Sequence, residues 1–153
     1  MLCAALACAW AGAAAAQVEL CEAADRHLTA SAGMSTVAEP DTIDDWRTDR
    51  RVPGCRITAA GLTRLSLRSE ARRFYDVLRE AGWIRSPDPQ DAPNEASLRF
   101  RHEEVDCLFN VYSGGLLNTD AELRVDDERV PGPGELRYNV LVLCMPAAEA
   151  ASS

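Results

Sequence analysis

The sequence contains no lysine. All 16 basic residues are arginine, against 24 acidic ones, and the formal net charge is -8. Such a balance offers no basic surface for holding phosphates, which excludes general nucleic-acid binding. It is equally unsuited to docking on anionic lipid. Histidine is almost as scarce, with only His27 and His102. No C-x-x-C pair is present, which removes the commonest zinc spacing, and there is no G-x-S-x-G nucleophile elbow. Apart from the N-terminus, nothing approaches the roughly 20 apolar residues of a membrane-spanning helix. What remains is 47% hydrophobic and 26% charged, the composition of a folded globular chain, and 153 residues allow one domain. An arginine-only basic set with many Ala, Pro and Gly residues fits a GC-rich bacterial genome.

Residues 1–16 carry no charge and are mostly Ala, Leu and Cys, ending in Ala14-Ala15-Ala16 just before Gln17 and the first acid, Glu19. That is the apolar region and small-residue cleavage site of a secretory signal peptide, with cleavage expected between Ala16 and Gln17. No arginine precedes the run, so we expect the true start upstream of Met1. Two other readings fit less well. A buried N-terminal helix is a poor match for a uniform alanine run without a polar face. A lipoprotein anchored at Cys8 would want its leucine one place earlier than Leu6. The processed chain is expected to be periplasmic or secreted and to keep Cys21, Cys55, Cys107 and Cys144. Four cysteines in a short exported chain imply two disulfides with three possible connectivities. We expect Cys107–Cys144, because both lie in strands that a meander can set side by side, and Cys21–Cys55, which would tie down the N-terminal segment.

Residues 17–40 read as an N-terminal segment. Val18, Cys21, Ala24 and Leu28 have the spacing of a short helix, while Ser31-Ala32-Gly33 and Glu39-Pro40-Asp41 read as linker. Residues 41–146 read as the compact domain and 147–153 as a flexible tail. Within the domain, Val52-Pro53-Gly54-Cys55 has turn composition. Leu65 and Leu67 alternate with polar residues as in a strand. Ser69 can cap a helix carrying Ala71, Phe74, Tyr75, Leu78 and Ala81 on one face, with Gly82 at its stop and Trp83 folded back. Leu98 and Phe100, then Cys107, Phe109 and Val111, predict a hairpin about His102-Glu103-Glu104, broken afterwards by Ser113-Gly114-Gly115. Leu123 and Val125 suggest a weaker strand, and residues 138–144 a central one apolar on both faces. The expected class is α+β: one main helix on an antiparallel sheet of four to five strands, with two disulfides. Its core should join Leu65, Leu67, Phe74, Leu78, Phe109, Val140 and Val142.

The string Phe74-Tyr75-Asp76-Val77-Leu78-Arg79-Glu80-Ala81-Gly82-Trp83 resembles a helix of small exported bacterial domains of unknown function. These carry F-Y-x-x-L-x-x-x-G-W followed by a hairpin. The resemblance spans residues 52–113 and implies a strand, helix and hairpin in that order. It supplies no catalytic residues.

Candidate chemistry is thin. His102-Glu103-Glu104 begins like a zincin helix, but Asp106 stands where the second histidine belongs. Asp88, Asp91 and Asn94 share a loop, yet an EF-hand counted from Asp88 would put Pro93 at the glycine position and Arg99 at the terminal glutamate. No metal, cofactor or catalytic residue is therefore assigned. The one anomaly is a basic cluster, Trp46, Arg47, Arg50 and Arg51, with Arg56 nearby, in an acidic chain. Arginine beside an indole is the composition of a partner-binding hot spot. The plainer reading pairs these arginines with Glu39, Asp41, Asp44 and Asp45 and packs Trp46 on the core. The best functional expectation is a non-catalytic exported module that binds a protein or envelope component. The alternatives are an inhibitor of an extracellular hydrolase, presenting a loop such as residues 86–93, and an enzyme. A deep polar pocket containing His27 or His102 would favour the enzyme.

Overall fold

A computed structural model describes residues 4–86 and 97–148. Along the chain, α1 (Ala4–Glu19) is followed by α2 (Glu22–Arg26), which runs into a π turn (His27–Ser31). Then come β1 (Ser35–Asp45), β2 (Arg50–Thr63), α3 (Leu67–Glu80) and β3 (Ile84–Arg85). The hairpin β4 (Ser97–His102) and β5 (Val105–Tyr112), α4 (Asp120–Asp127) and β6 (Leu136–Pro146) complete it. The architecture is α+β, with one antiparallel sheet in the order β1-β2-β6-β5-β4-β3.

Among the described residues the sheet has six strands where four to five were expected, and the helices are four short ones in place of a single main one. The largest addition is the long hairpin β1–β2, paired from Ser35↔Ala60 to Asp45↔Arg50. Its prolines and glycine disguised it as linker and turn. Pro40 lies in β1, at the sheet edge, where a missing N–H costs little. Pro53 and Gly54 lie in β2 before its pairing with β6 begins at Cys55, so that end of the strand is locally an edge as well. Gly54 is required by close approach: a Cβ there would collide with the Cys144 carbonyl oxygen and stand 2.8 Å from Ile43 Cγ1.

Residues 64–68 form no strand. The cap of α3 is Ser66, whose hydroxyl accepts from Ser69 N–H at 3.3 Å, so Leu67 opens the helix and Leu65 is left 41% exposed. The stop is as expected, with Gly82 at φ 91° and Trp83 N–H donating back to the Leu78 carbonyl at 3.1 Å. Leu123 and Val125 lie in α4 and not in a strand, because Thr119 caps a helix there by accepting from Glu122 N–H.

The two faces of the sheet are covered differently. On one, Phe74, Tyr75 and Leu78 from α3 and Ala24 and Leu28 from α2 and the π turn pack with Ile57, Phe100, Phe109, Val140 and Val142. Residues 22–34 thus contribute to the same core as the sheet. Four aromatic rings mesh here, with Phe74 5.8 Å from Phe109 and Tyr75 stacked 5.7 Å from Phe100. The opposite face carries α4 and the β1–β2 turn. There Leu141 and Leu143 of the central strand β6 are only half-buried.

Both disulfides form as expected, Cys21–Cys55 and Cys107–Cys144. Of the expected core, Phe74, Leu78, Phe109, Val140 and Val142 are buried together, Leu67 packs at its margin and Leu65 lies outside it. Phe74→Ala should cost about 3–5 kcal/mol of unfolding free energy in urea titration. Leu65→Ala should cost less than about 1 kcal/mol. Equal losses would contradict this core.

Candidate functional site

The four-residue turn 46–49 joins β1 to β2 and carries the basic cluster, which is largely engaged by acids of its own chain. Arg47, its side chain 11% exposed, donates to Asp45 at 3.0 Å and to Asp106 at 3.1 Å. Arg51 pairs with Asp44 at 3.3 Å in solvent, and Arg56 with Glu39 at 3.1 Å and Asp41 at 3.7 Å. The bonds to Glu39, Asp41, Asp44 and Asp45 are those of the plainer reading; the Arg47–Asp106 bond is additional, and Trp46 is not packed on the core. Trp46, 47% exposed, lays its ring over the buried Arg99 guanidinium at 5.0 Å, a cation–π contact that the sequence did not reveal. Arg99 also lies 3.8 Å from Asp45 and 3.6 Å from the Met145 sulfur. The turn leaves Arg50, Arg51 and one part of Trp46 at the surface, beside a hollow of about 200 Å³.

Asp106 is the hub on this side. Arg101 binds it twice, at 2.6 and 2.9 Å, and Ala148 N–H adds a bond at 3.2 Å. Burial alone would raise its pKa. The Arg101 hydrogen bonds, the Ala148 N–H, the Arg101 charge and Arg47 outweigh that and hold it below the ordinary 3.8. For Asp45, burial likewise pushes upward and Arg47, with Thr48, brings the carboxyl below its ordinary value.

A second place collects both histidines. A cavity of about 470 Å³ opens between the N-terminal helical segment and the β4–β5 hairpin. One wall is Glu19, Leu20, Glu22, Ala23, Arg26, His27, Ala30 and Ser31; the other is Trp83, His102, Glu103 and Val105. The first wall ends in a π turn, marked by Ala32 N–H donating to the His27 carbonyl at 3.3 Å. Thr29 contributes locally, its hydroxyl donating to the Asp25 carbonyl at 2.9 Å. Single π turns recur at functional sites, and this one begins at His27.

His27 is 7% exposed, edge-on to Phe74 with centroids 6.0 Å apart, and its Nε2 is buried without a hydrogen-bond partner. Burial lowers its pKa below the ordinary 6.5, so at neutral pH the imidazole is uncharged. His102 rests on Trp83, with ring centroids 4.9 Å apart, and Trp83 stands edge-on to Phe109 at 5.5 Å. Glu103 holds φ 53°, a left-handed conformation unusual for glutamate, in the two-residue turn that closes the hairpin. Arg26 is tied to Glu22 at 2.8 Å.

Metal chemistry has no assembled ligand set here. Among the described residues, the only group of three potential ligand atoms within 4.8 Å of one another is the sulfurs of Cys21, Cys55 and Cys144, all in disulfides. Asp88, Asp91 and Asn94, and the inhibitor-like loop apart from Ser86, lie outside the described residues. No helix among those described is long and apolar enough to cross a membrane. Comparison with family models, curated proteins and solved structures finds no match to this chain.

The acid dependence of Asp106 follows from its direction of shift. Its folded pKa is depressed, so its contribution is complete above the ordinary 3.8 and is lost as pH falls through the folded value. Asp106→Asn should cost about 2–3 kcal/mol at pH 7. It should also flatten the fall in stability that the wild type shows below about pH 4. Parallel stability–pH curves would show that Asp106 is not a stabilising hub.

Proposed function

We infer that this chain is exported and acts as a non-catalytic binding module whose recognition site is the two-histidine pocket. The observation that carries the reading is the meeting of the chain's only two histidines in one cavity. The cavity volume falls in the range of small-molecule sites. Export is supported by the uncharged alanine run of residues 1–16 and by the two disulfides. Cleavage after Ala16 leaves every residue of the cavity wall in the mature chain. The basic turn supports recognition less well, since its best-placed arginine, Arg47, is already bound to Asp45 and Asp106.

A second reading, an enzyme acting in the same pocket, is favoured by that same meeting of histidines. Against it, neither histidine has a hydrogen-bonded hydroxyl or carboxylate partner among the described residues, so no activated nucleophile is formed.

The test is thermal unfolding of the full chain with the low-molecular-weight fraction of its own cell envelope. A ligand at a hundred times its Kd stabilises by about 2.7 kcal/mol, and Tm should rise by roughly 5–10 °C. His102→Ala combined with Glu103→Gln should abolish the rise and leave the Tm of the ligand-free protein within about 2 °C. No rise, or the same rise in the variant, would remove the pocket as the recognition site. Recovery of the ligand chemically altered would decide for the enzyme.

A further inference from the structure

The two disulfides stand close enough to exchange partners. Cys55, Cys144 and Cys107 face one another in register across β2, β6 and β5. Directly opposed residues on neighbouring strands point to the same face of the sheet, and all three side chains lie in the buried core. Cys55 and Cys107 therefore flank Cys144 from opposite sides. The Sγ atoms of Cys21, Cys55 and Cys144 all lie within 4.8 Å of one another, while Cys107, beyond Cys144, does not join that group. Opposed Cα atoms of an antiparallel pair stand about 4.5–5.5 Å apart, a span that a disulfide bridges without moving the backbone. Cys55 thus has two partners within reach, Cys21 from the helical segment and Cys144 from the sheet, and is bonded to the first.

A disulfide exchanges when a thiolate attacks one of its sulfurs and the other leaves. The row of three cysteines supplies that arrangement, with Cys55 on one side of Cys144 and the leaving Cys107 on the other. We propose that Cys55 is an exchange cysteine: released from Cys21, it takes Cys144 from Cys107, so that the helical segment is let go while the sheet stays cross-linked. The sequence starts with an external monothiol, whose thiolate attacks Cys21 Sγ, forms a mixed disulfide there and expels Cys55 as a thiolate. Cys55 then attacks Cys144 Sγ. The Cys55–Cys144 bond forms, the Cys107–Cys144 bond breaks, and Cys107 leaves as a thiolate. The proton given up by the monothiol ends on Cys107, and the number of S–S bonds is two before and after.

Cys21 is the point of entry. It has no exposed surface, but alone of the four bonded cysteines it lies outside the sheet, at the start of a five-residue helix. Fraying of so short a helix uncovers it at far lower cost than opening a central strand. After exchange β2 and β6 are stapled where β5 and β6 were, so the sheet keeps a covalent tie on its central strand. The segment carrying His27 loses its own. The consequence is a thiol-operated switch on one wall of the pocket, whatever that pocket binds.

The experiment treats the folded full chain at about pH 8, near the ordinary thiol pKa, with limiting 2-mercaptoethanol. The reaction is quenched with acid, free thiols are alkylated, and peptides are mapped without reduction. The first altered species should carry a Cys55–Cys144 peptide, an alkylated Cys107 and a Cys21 blocked by the monothiol. Cys21→Ser enters the sequence at its second step, because Cys55 is free from the outset. In that variant, with β6 amide protection as the check on folding, Cys55–Cys144 and Cys107–Cys144 should coexist within about tenfold of each other. If the variant does not fold, the wild-type map decides alone.

A wild type in which free Cys55 accumulates beside an intact Cys107–Cys144 bridge overturns the proposal. So does a folded Cys21→Ser protein that holds Cys107–Cys144 as its only bridge. Exchange that persists in Cys55→Ser, giving Cys21–Cys144, would move the role to Cys21 and overturn it too. A wild type whose bridges both resist the monothiol until the chain unfolds leaves no switch, whatever the variants show.

Discussion

Cys144 stands in the central strand with Cys55 directly opposite it on β2 and Cys107 directly opposite it on β5. Three cysteines therefore form one row across three strands, and the two disulfides leave that row in different directions. Cys107–Cys144 lies within the sheet and fixes the β5–β6 register, in which a one-residue slip would turn every core side chain to the other face. Cys21–Cys55 leaves the sheet and fastens the start of α2 to β2. Each bridge closes a loop of between 30 and 40 residues, worth roughly 4 kcal/mol in the loop-entropy account. The second bridge matters more for the candidate site. A five-residue helix is far too short to persist alone, so α2 and the His27 turn hold their shape only as docked against the sheet. One wall of the pocket is thus held by a covalent bond and by Ala24 and Leu28 in the core.

The absence of lysine becomes intelligible on the other face. Asp45 and Asp106 are buried carboxylates, and three arginines, Arg47, Arg99 and Arg101, surround them. Guanidinium forks can span two carboxylates, stack under an indole and remain charged when buried, which an ammonium does poorly. Glu122 is a buried acid satisfied without arginine. It accepts from the backbone N–H groups of Leu116, Leu117 and Asn118 and from the Tyr112 hydroxyl, and so closes the loop before α4.

Periodic elements were legible in the sequence. The apolar face of α3 with its Gly82 stop, the β4–β5 hairpin and the central position of β6 all rest on runs long enough to show a period. So did the disulfide pairing, which needed only adjacent strands and a loose N-terminus. The β1–β2 hairpin was hidden because Pro40, Pro53 and Gly54 signal breaks, and edge pairing that tolerates them becomes visible only once the neighbours are known. The start of α3 was misread because Ser66 and Ser69 are equally good caps. α4 carried a signal that went unused: Thr119-Asp120-Ala121-Glu122 has the capping-box spacing, yet Leu123 and Val125 alternate as in a strand. The pocket could not be read at all. His27 and His102 are far apart in the chain, and the Cys21–Cys55 bridge, the packing of Ala24 and Leu28 and the sheet order bring their elements together.

The central claim is that this bridge docks the segment carrying His27 and so builds the pocket. Hydrogen exchange on the full chain and on its Cys21→Ser, Cys55→Ser variant tests it directly. Amides of residues 22–34 should lose most of their protection in the variant while those of residues 138–144 in β6 keep theirs. Unchanged protection across residues 22–34 would show that packing alone holds the segment, and the account built on the bridge would be wrong.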